Sequence, residues 1–356
     1  MRAEIPNPRP EFLLEACTAC GRCREECALL RARGTPRAAG RALGEDPARA
    51  IAWAFECCLC GLCEAVCPRG VCVVHAFREM RRRAVREGRA PLRAVRGLLR
   101  YEALGRSLPL RLHRIPRGCR AVLFPGCALP GNLPEHTLRL YRLLRRNEPG
   151  LGLVLDCCLR PSLDLGLEER FRRRFGRLVQ ALRERGVEEV VAACPSCLAV
   201  WREHAPGIRA VSAYERLAEL PLVPPERPPA PVVVHDPCTA RRNTDLHRSV
   251  RRILERLGVE VEEMPHRCAT TVCCGEGAGA RFTAPGFASV WTARRLREAA
   301  GRPVAVYCAG CAESLGRETR AIHLLEFVFG PGPGPAGLLC RIVRRMALRI
   351  RCALIR

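Results

Sequence analysis

The stretch from Phe55 to Gly70 reads FECCLCGLCEAVCPRG and holds five cysteines within eleven residues. Four of them follow the spacing C-x2-C-x2-C-x3-C, with a proline next, and these are Cys57, Cys60, Cys63 and Cys67. The same spacing occurs once earlier, with Ala28 in place of the proline, at Cys17, Cys20, Cys23 and Cys27. Thiols this dense indicate metal ligands, because a globular core does not need them.

The repeated spacing is that of the bacterial ferredoxin run, which binds [4Fe–4S] cubanes. Three thiolates wrap a loop around one cluster, and the fourth ligates the other cluster. The sequence therefore assigns the first cubane to Cys17, Cys20, Cys23 and Cys67, and the second to Cys57, Cys60, Cys63 and Cys27. Zinc is disfavoured because zinc sites combine two well-separated C-x2-C pairs. Cys58 and Cys72 fall outside the spacing and are expected to pack as small apolar residues.

Composition places the chain among metal proteins of a reducing compartment. It has 24 cysteines in 356 residues, and its N-terminus shows no apolar signal segment. We expect a cytoplasmic protein, or one peripheral at the inner face of the membrane. The formal charge is +24, and all 60 basic residues are arginines spread along the chain. That spread argues against nucleic-acid binding and suggests an acidic partner, an anionic substrate or an anionic membrane surface.

Beyond residue 118 the cysteines are dispersed in two repeats. The first reads C-x29-CC-x35-C-x2-C, at Cys127, Cys157, Cys158, Cys194 and Cys197. The second reads C-x34-CC-x33-C-x2-C, at Cys238, Cys273, Cys274, Cys308 and Cys311. Each group comes from three loops at strand ends, which is where open α/β sheets place ligands.

The same repeats predict the fold. In each, strands alternate with amphipathic helices, which favours α/β units with parallel strands. The expected class is α+β overall, a helical double-cluster ferredoxin-like domain followed by two such α/β domains. The expected boundaries are 1–100, 117–222, 231–330 and a basic amphipathic C-terminal helix at 337–356. A proline-rich linker, Pro221–Pro231, separates the two repeats.

Two ferredoxin runs followed by these repeats resemble the D-type subunit of heterodisulfide reductase. The repeats are similar to the CCG domains of that subunit, of the C-type subunit of anaerobic glycerol-3-phosphate dehydrogenase, of the glycolate oxidase iron–sulfur subunit and of lactate-utilisation proteins. The likeness covers roughly residues 10 to 330 and is strongest at "DPC", "CCGEGAG" and "CAGC" of the second repeat. The first repeat departs from it, because Leu159 follows the cysteine pair where glycine is usual. Leucine at this position leaves the conformation of that turn open, so the first site is left open to a cluster, zinc or nothing.

The resemblance implies one or two further, non-cubane [4Fe–4S] clusters in the CCG domains. It favours an iron–sulfur electron-transfer subunit of a multi-subunit oxidoreductase, fed by a flavoprotein or a heterodisulfide reductase-type partner. Electrons would reach a CCG cluster, a quinone or a disulfide, and a membrane anchor subunit is a further expected partner. The alternative is catalysis on this chain, with a disulfide reduced at Cys238, Cys273, Cys274, Cys308 and Cys311. Whether the chain is itself an enzyme stays open.

A few other residues carry weaker expectations. His235 and His266 are interpreted as surface residues or as neighbours of ligands, and Asp236 as a hydrogen-bonding residue of a cluster loop. Arg241 and Arg242 would attract an anionic substrate. The apolar stripe of the C-terminal helix is expected to pack in a core, with docking to a partner or membrane as the alternative, and comprises Leu339, Ile342, Val343, Met346 and Ile350. No chemical role is expected for Cys119, Cys268, Cys340 and Cys352.

Overall fold

The computed structural model describes residues 9–225, 230–334 and 336–354. The chain divides into two compact units. The first comprises residues 1–99, 161–171 and 269–295, and the second comprises 100–160, 172–268 and 296–356. Part of the predicted linker, residues 226–229, lies outside the described residues, as do the last two residues of the predicted C-terminal helix.

The N-terminal segment contains helices and loops but no strand within the described residues. Its short helices alternate with cysteine loops because each ferredoxin-type run leaves room for only one turn between ligands. Thr35 and Asp46 cap the two ten-residue helices by accepting backbone N–H bonds. The helices are α1 (Leu13–Ala16), α2 (Arg22–Glu26), α3 (Ala28–Arg33), α4 (Pro36–Glu45), α5 (Pro47–Glu56), α6 (Leu62–Ala65), α7 (Val73–Arg86) and α8 (Arg96–Leu104).

The first repeat forms a five-stranded sheet in the second unit. Strands β2 to β4 are buried along their whole length, as expected for parallel strands covered on both faces. Its elements are β1 (Leu112–Arg114), β2 (Ala121–Phe124), α9 (Leu129–Asn132), α10 (Pro134–Asn147), β3 (Gly152–Leu155), α11 (Arg160–Asp164), α12 (Glu168–Arg183), β4 (Glu189–Ala192), α13 (Pro195–His204), β5 (Arg209–Ser212) and α14 (Ala213–Glu219).

The second repeat forms a four-stranded, wholly parallel sheet in the same unit. Its elements are β6 (Val232–His235), α15 (Thr244–Arg256), β7 (Val261–Glu262), α16 (Ala280–Thr283), α17 (Pro285–Ala299), β8 (Val304–Val306), α18 (Ala309–Leu315), β9 (Ala321–His323) and α19 (Leu324–Phe329). The chain then enters α20 (Leu338–Ala353). Short 3-10 turns occur at Pro10–Phe12, Cys238–Ala240, Cys268–Thr270 and Gly277–Gly279.

Both sheets share one strand order. It is β3-β2-β4-β5 in the first, with β1 added antiparallel at the edge, and β7-β6-β8-β9 in the second. In each sheet, the strand that follows β2 or β6 in the sequence lies on one side of it, and the strand after that lies on the other side. Such a reversal of strand order is a switch point, which is where open α/β sheets bind ligands. The predicted α+β class with parallel-stranded repeats is confirmed. The predicted domain boundaries remain a prediction.

The C-terminal helix forms as predicted, but the apolar stripe that was expected to face the core faces outward. Leu339, Val343 and Ile350 are 79%, 64% and 54% exposed, so the expected core packing of this stripe is wrong. The buried residues are instead Arg345, Leu348 and Cys352. Arginines hold this orientation by donating to the body of the second unit: Arg345 to the carbonyls of Gly105 and Cys127, and Arg349 to that of Arg111. Docking through the exposed stripe stays a prediction. None of the helices in the described ranges is long and apolar enough to cross a membrane.

Candidate metal centres

Both ferredoxin-type runs fold into the same backbone turn. Ala19 and Leu59 precede the second cysteine of their runs and have positive φ of 57° and 49°. Gly21 and Gly61 follow that cysteine, with φ of 86° and 73°. These left-handed residues curl the chain and turn its N–H groups inward, so that the Leu59 N–H donates to Cys57 Sγ at 3.3 Å. The repeated spacing therefore produces a repeated conformation.

The eight thiols of these runs gather around two cavities in the first unit. One cavity is lined by the cysteines predicted for the first cubane, together with Cys63: Cys17, Cys20, Cys23 and Cys67. The other is lined by those predicted for the second, together with Cys58: Cys27, Cys57, Cys60 and Cys63. The fourth cysteine of each run thus lies beside the three leading cysteines of the other run.

The electrostatics of these cavities fit a cationic iron–sulfur core that compensates the charge of its thiolate ligands. Burial and the neighbouring Cys17 raise the pKa of Cys23 to about 11, and burial and Cys27 raise the pKa of Cys57 to about 12. Crowded buried thiols resist ionising together unless a metal compensates their charge. A donor set of sulfur alone excludes hard cations such as Mg²⁺ or Ca²⁺ and suits iron–sulfur clusters.

Cys58 has a partner that its sequence position did not reveal. It is buried, as predicted, and its thiol is hydrogen-bonded to that of Cys273, which raises the pKa of Cys58 well above its usual value. A Cβ on Gly277 would collide with the Cys58 carbonyl oxygen. The glycine-rich turn after the second cysteine pair therefore packs directly on the loop of the second ferredoxin-type run.

The first dispersed site lies within the second unit, at the carboxyl ends of β2, β3 and β4. Hydrogen bonds between thiols join its five cysteines into one chain in the order Cys127, Cys157, Cys158, Cys197 and Cys194. The Cys157 and Cys197 thiols donate to Cys158 and lower its pKa to about 6. This series of thiol hydrogen bonds continues into the second repeat, from Cys194 to Cys308 and from Cys308 to Cys311.

The five cysteines of the second repeat do not all belong to one unit. Cys238, Cys308 and Cys311 follow β6 and β8 in the second unit, whereas Cys273 and Cys274 belong to the first. In the first unit Thr292 Oγ1 donates to the Cys274 carbonyl at 2.9 Å. Arg241 is buried and Arg242 is exposed, and their attraction for an anionic substrate stays a prediction.

The turns after the two cysteine pairs have the same conformation despite their different residues. Leu159 has φ of +61° and Gly275 has φ of +90°. Each donates its N–H to the first sulfur of its pair: Leu159 to Cys157 at 3.4 Å, and Gly275 to Cys273 at 3.3 Å. Leucine therefore does not alter the turn, because Leu159 adopts the left-handed conformation that glycine takes at the equivalent position.

Two buried aspartates stiffen the loops around these sites. Asp236 accepts from Tyr307 Oη, from the Cys268 N–H and from the guanidinium of Arg251, at 2.7 to 3.0 Å. Burial alone would raise its pKa, but Arg251 lowers it to about 2. Asp156 is fully buried and accepts the Cys157 N–H at 2.7 Å. Asp236 is therefore a hydrogen-bonding residue, as the sequence indicated, whereas Asp156 was not anticipated.

The two histidines differ in burial. His235 is fully buried at the end of β6, so it is no surface residue. His266 is partly exposed, and its Nδ1 lies 2.8 Å from Glu298 Oε1.

Two arginines at the cysteine loops were also missed. Arg81 donates to the Cys57 carbonyl at 2.6 Å and Arg345 to the Cys127 carbonyl at 3.3 Å, and both side chains are buried. Among 60 arginines nothing in the sequence marks these two.

Comparison with known proteins agrees with this arrangement of cysteines. Residues 13–71 match the 4Fe-4S dicluster domain, and residues 121–201 and 232–316 each match the cysteine-rich CCG domain. The chain is an iron–sulfur protein with one dicluster domain and two CCG domains. The resemblance to heterodisulfide reductase-related proteins is thereby confirmed.

Two relatives of this iron–sulfur protein belong to reductases. The B-type subunit of the fumarate reductase (CoM/CoB) of Methanothermobacter marburgensis is 26% identical over 255 residues, which are 65% of this chain and 50% of that protein. The D-type subunit of the dihydromethanophenazine:CoB–CoM heterodisulfide reductase of Methanosarcina mazei is 23% identical over 303 residues, 76% of this chain and 74% of that one. The chain thus spans half the length of the fumarate reductase protein it matches.

Proposed function

We propose that this chain is the iron–sulfur electron-transfer subunit of a multi-subunit oxidoreductase. The observation that carries the proposal is the contact between Cys58, in the loop of the second ferredoxin-type run, and Cys273, in the pair of the second CCG domain. A subunit that only stores clusters has no need of such a contact. Partners of the proposed complex are a flavoprotein or a heterodisulfide reductase-type subunit, and a quinone or a membrane anchor subunit is its further electron partner.

The proposal assigns each cysteine group a cofactor. Two cubanes bind to Cys17, Cys20, Cys23 and Cys67, and to Cys57, Cys60, Cys63 and Cys27. Non-cubane [4Fe–4S] clusters bind to Cys127, Cys157, Cys158, Cys194 and Cys197, and to Cys238, Cys273, Cys274, Cys308 and Cys311. The domains follow the boundaries 1–100, 117–222 and 231–330. The preserved turn at Leu159 supports a cluster in the first CCG domain as well as in the second.

The clusters supply one-electron redox chemistry, and the chain's own residues hold and connect them. Cys57 is a proposed ligand of the second cubane, and the next residue, Cys58, contacts the proposed ligand Cys273. Covalent bonds and one thiol–thiol hydrogen bond thus connect the two ligand sets. Both thiols are buried, so water is excluded from this path. The electrons received by the cubanes would leave through the second CCG domain.

Counting iron in anaerobically purified protein tests the assignments. About eight iron atoms indicate cubanes only, and about sixteen indicate that both CCG domains are filled as well. A protein with fewer than eight and no cubane signal in electron paramagnetic resonance (EPR) would contradict the proposal.

Replacing Cys58 tests the relay itself. Cys58→Ala removes the thiol contact but no proposed ligand, so we expect full iron content and slower electron transfer from the cubanes to the second CCG domain. Rapid-freeze EPR after reduction of the cubanes measures that rate. Cys72→Ala is the matched control, because Cys72 lies outside both ferredoxin spacings and bonds only weakly, to the Gly70 carbonyl at 3.8 Å. Equal rates in the two variants would rule out the path through Cys58.

A second candidate is disulfide reduction on this chain, at the second CCG domain. It is favoured by the relative from Methanosarcina mazei, a D-type heterodisulfide reductase subunit that matches over 74% of its length. Adding a thiol to oxidised protein with a filled second CCG domain should then produce a new paramagnetic species. Its absence would leave electron transfer as the function.

A further inference from the structure

We propose that Arg81 sets the reduction potential of the cluster bound by Cys57, Cys60, Cys63 and Cys27, by placing a fixed positive charge beside it. This inference rests on the proposed function, since it takes the second cubane as given. It adds a residue that no ligand spacing indicates.

Arg81 is an arginine with no exposed surface. Its guanidinium donates at 2.6 Å to the carbonyl of Cys57, at 2.9 Å to that of Ala54, and at 2.8 and 2.7 Å to those of Asp164 and Ala278. It also lies over the ring of Phe55, 5.0 Å from the centroid. Every one of these hydrogen-bond acceptors is a neutral backbone carbonyl. The side chain is therefore fixed in place but is not neutralised by a bonded carboxylate.

The nearby acid is engaged elsewhere. The Asp164 carboxylate accepts from Arg78 at 3.1 Å, and only the backbone carbonyl of Asp164 is hydrogen-bonded to Arg81. A buried arginine charge is costly unless a negative group lies near it. Four thiolates around a cubane give a net charge of about −2, and the Cys57 loop that Arg81 contacts carries three of them. The cluster thus adds a counter-charge to that of the Asp164 carboxylate, which acts on Arg81 without bonding to it and is shared with Arg78.

The direction of the effect follows from charge. Reducing a cluster adds one negative charge, and a fixed nearby cation favours that reduced form more than the oxidised one. Arg81 therefore raises the reduction potential of the second cubane. The same guanidinium bonds to Ala278, in the turn after the second cysteine pair, so it also fixes the loops that meet at Cys58.

The local backbone is built to keep Arg81 in place. Gly166 has φ of +79°, and a Cβ there would lie 2.5 Å from the carbonyl carbon of Arg81. Since the chain approaches the Arg81 backbone so closely, the α7 helix cannot shift to bring the side chain to the surface. The charge is therefore fixed relative to the Cys57 loop.

The test is an EPR-monitored redox titration of the whole anaerobically loaded chain. In Arg81→Met we expect the ratio of reduced to oxidised second cubane, at a fixed potential, to fall about tenfold. For one electron this corresponds to a midpoint potential that is lower by about 59 mV. Arg81→Lys keeps a charge at this place and should stay close to the wild-type midpoint. The midpoint potential of the first cubane should not change in either variant.

Two further variants keep the test decisive. Arg81→Gln is the second neutral variant, and it should shift the midpoint in the same direction as methionine. Arg345→Met is the matched control, because Arg345 is also buried and bonded to a cysteine carbonyl, but at Cys127. It should leave both cubanes unchanged.

Four results would overturn the inference: an unchanged midpoint in the neutral variants, an equal shift in Arg81→Lys and Arg81→Met, an equal shift in Arg345→Met, or loss of second-cubane iron from both neutral variants. In each case a wild-type cubane signal would show that the proposed function still stands. If the wild-type chain binds no cubane, it is the proposed function that fails.

Discussion

The two CCG domains hold their cysteine pairs in different surroundings. Cys157 and Cys158 lie in the second compact unit, within one chain of hydrogen-bonded thiols. Cys273 and Cys274 lie in the first unit, where Cys273 contacts Cys58 of the dicluster segment. The turns themselves are alike, since Leu159 and Gly275 are both left-handed. Two copies of one motif have thus kept their local geometry and acquired different neighbours.

This difference supports different positions of the two CCG domains in the electron path that we propose. The second pair is the one packed against a cubane loop, and the electron path that we propose therefore enters the second CCG domain. The first domain is joined to the second through Cys194 and Cys308, whose thiols are hydrogen-bonded. In this scheme electrons reach the first domain only after the second.

The largest effects are expected from replacing each cysteine pair by serine. Cys157→Ser with Cys158→Ser should remove about four iron atoms and leave both cubane EPR signals unchanged. Cys273→Ser with Cys274→Ser should also remove about four, but should perturb the second cubane signal because Cys58 loses its partner. Iron analysis and EPR on the same samples measure both effects. An identical effect of the two double variants on the second cubane signal would contradict the inference that only the second CCG domain contacts the cubane loop.

A smaller effect is expected from Gly277, which lets the second pair's turn reach the dicluster segment. Gly277→Ala would push a methyl group into the Cys58 carbonyl and should destabilise the protein by about 3 kcal/mol. Gly286→Ala is the matched control, because a Cβ at that position in the same unit meets open space. The denaturant midpoints of the loaded proteins measure the two effects. Equal midpoints would show that the turn does not need to approach Cys58.

The dicluster and CCG domains and their strand–helix alternation could be predicted from the sequence because they depend on local sequence patterns. Cysteine spacing, glycine after cysteine and buried valine-rich strands each depend on a few neighbouring residues. Prediction from the sequence failed where long-range contacts decide. Cys58 meets Cys273 across more than two hundred residues, and Arg81 bonds to Ala278 over a similar separation. The helix α20 faces outward because its arginines find carbonyl acceptors at Gly105, Arg111 and Cys127.

The smallest expected effect distinguishes the turn at Leu159 from an ordinary buried leucine. Both Leu159→Ala and Leu159→Gly remove a fully buried side chain, and both should destabilise the protein. In a normal backbone conformation glycine would be the worse replacement, because it costs extra chain entropy. Here φ is +61°, which costs a residue with a Cβ about 1 kcal/mol, so Leu159→Gly should be more stable than Leu159→Ala by about that amount. The difference between their denaturant midpoints gives the answer. The opposite order would mean that the leucine turn is not the equivalent of the glycine turn at Gly275.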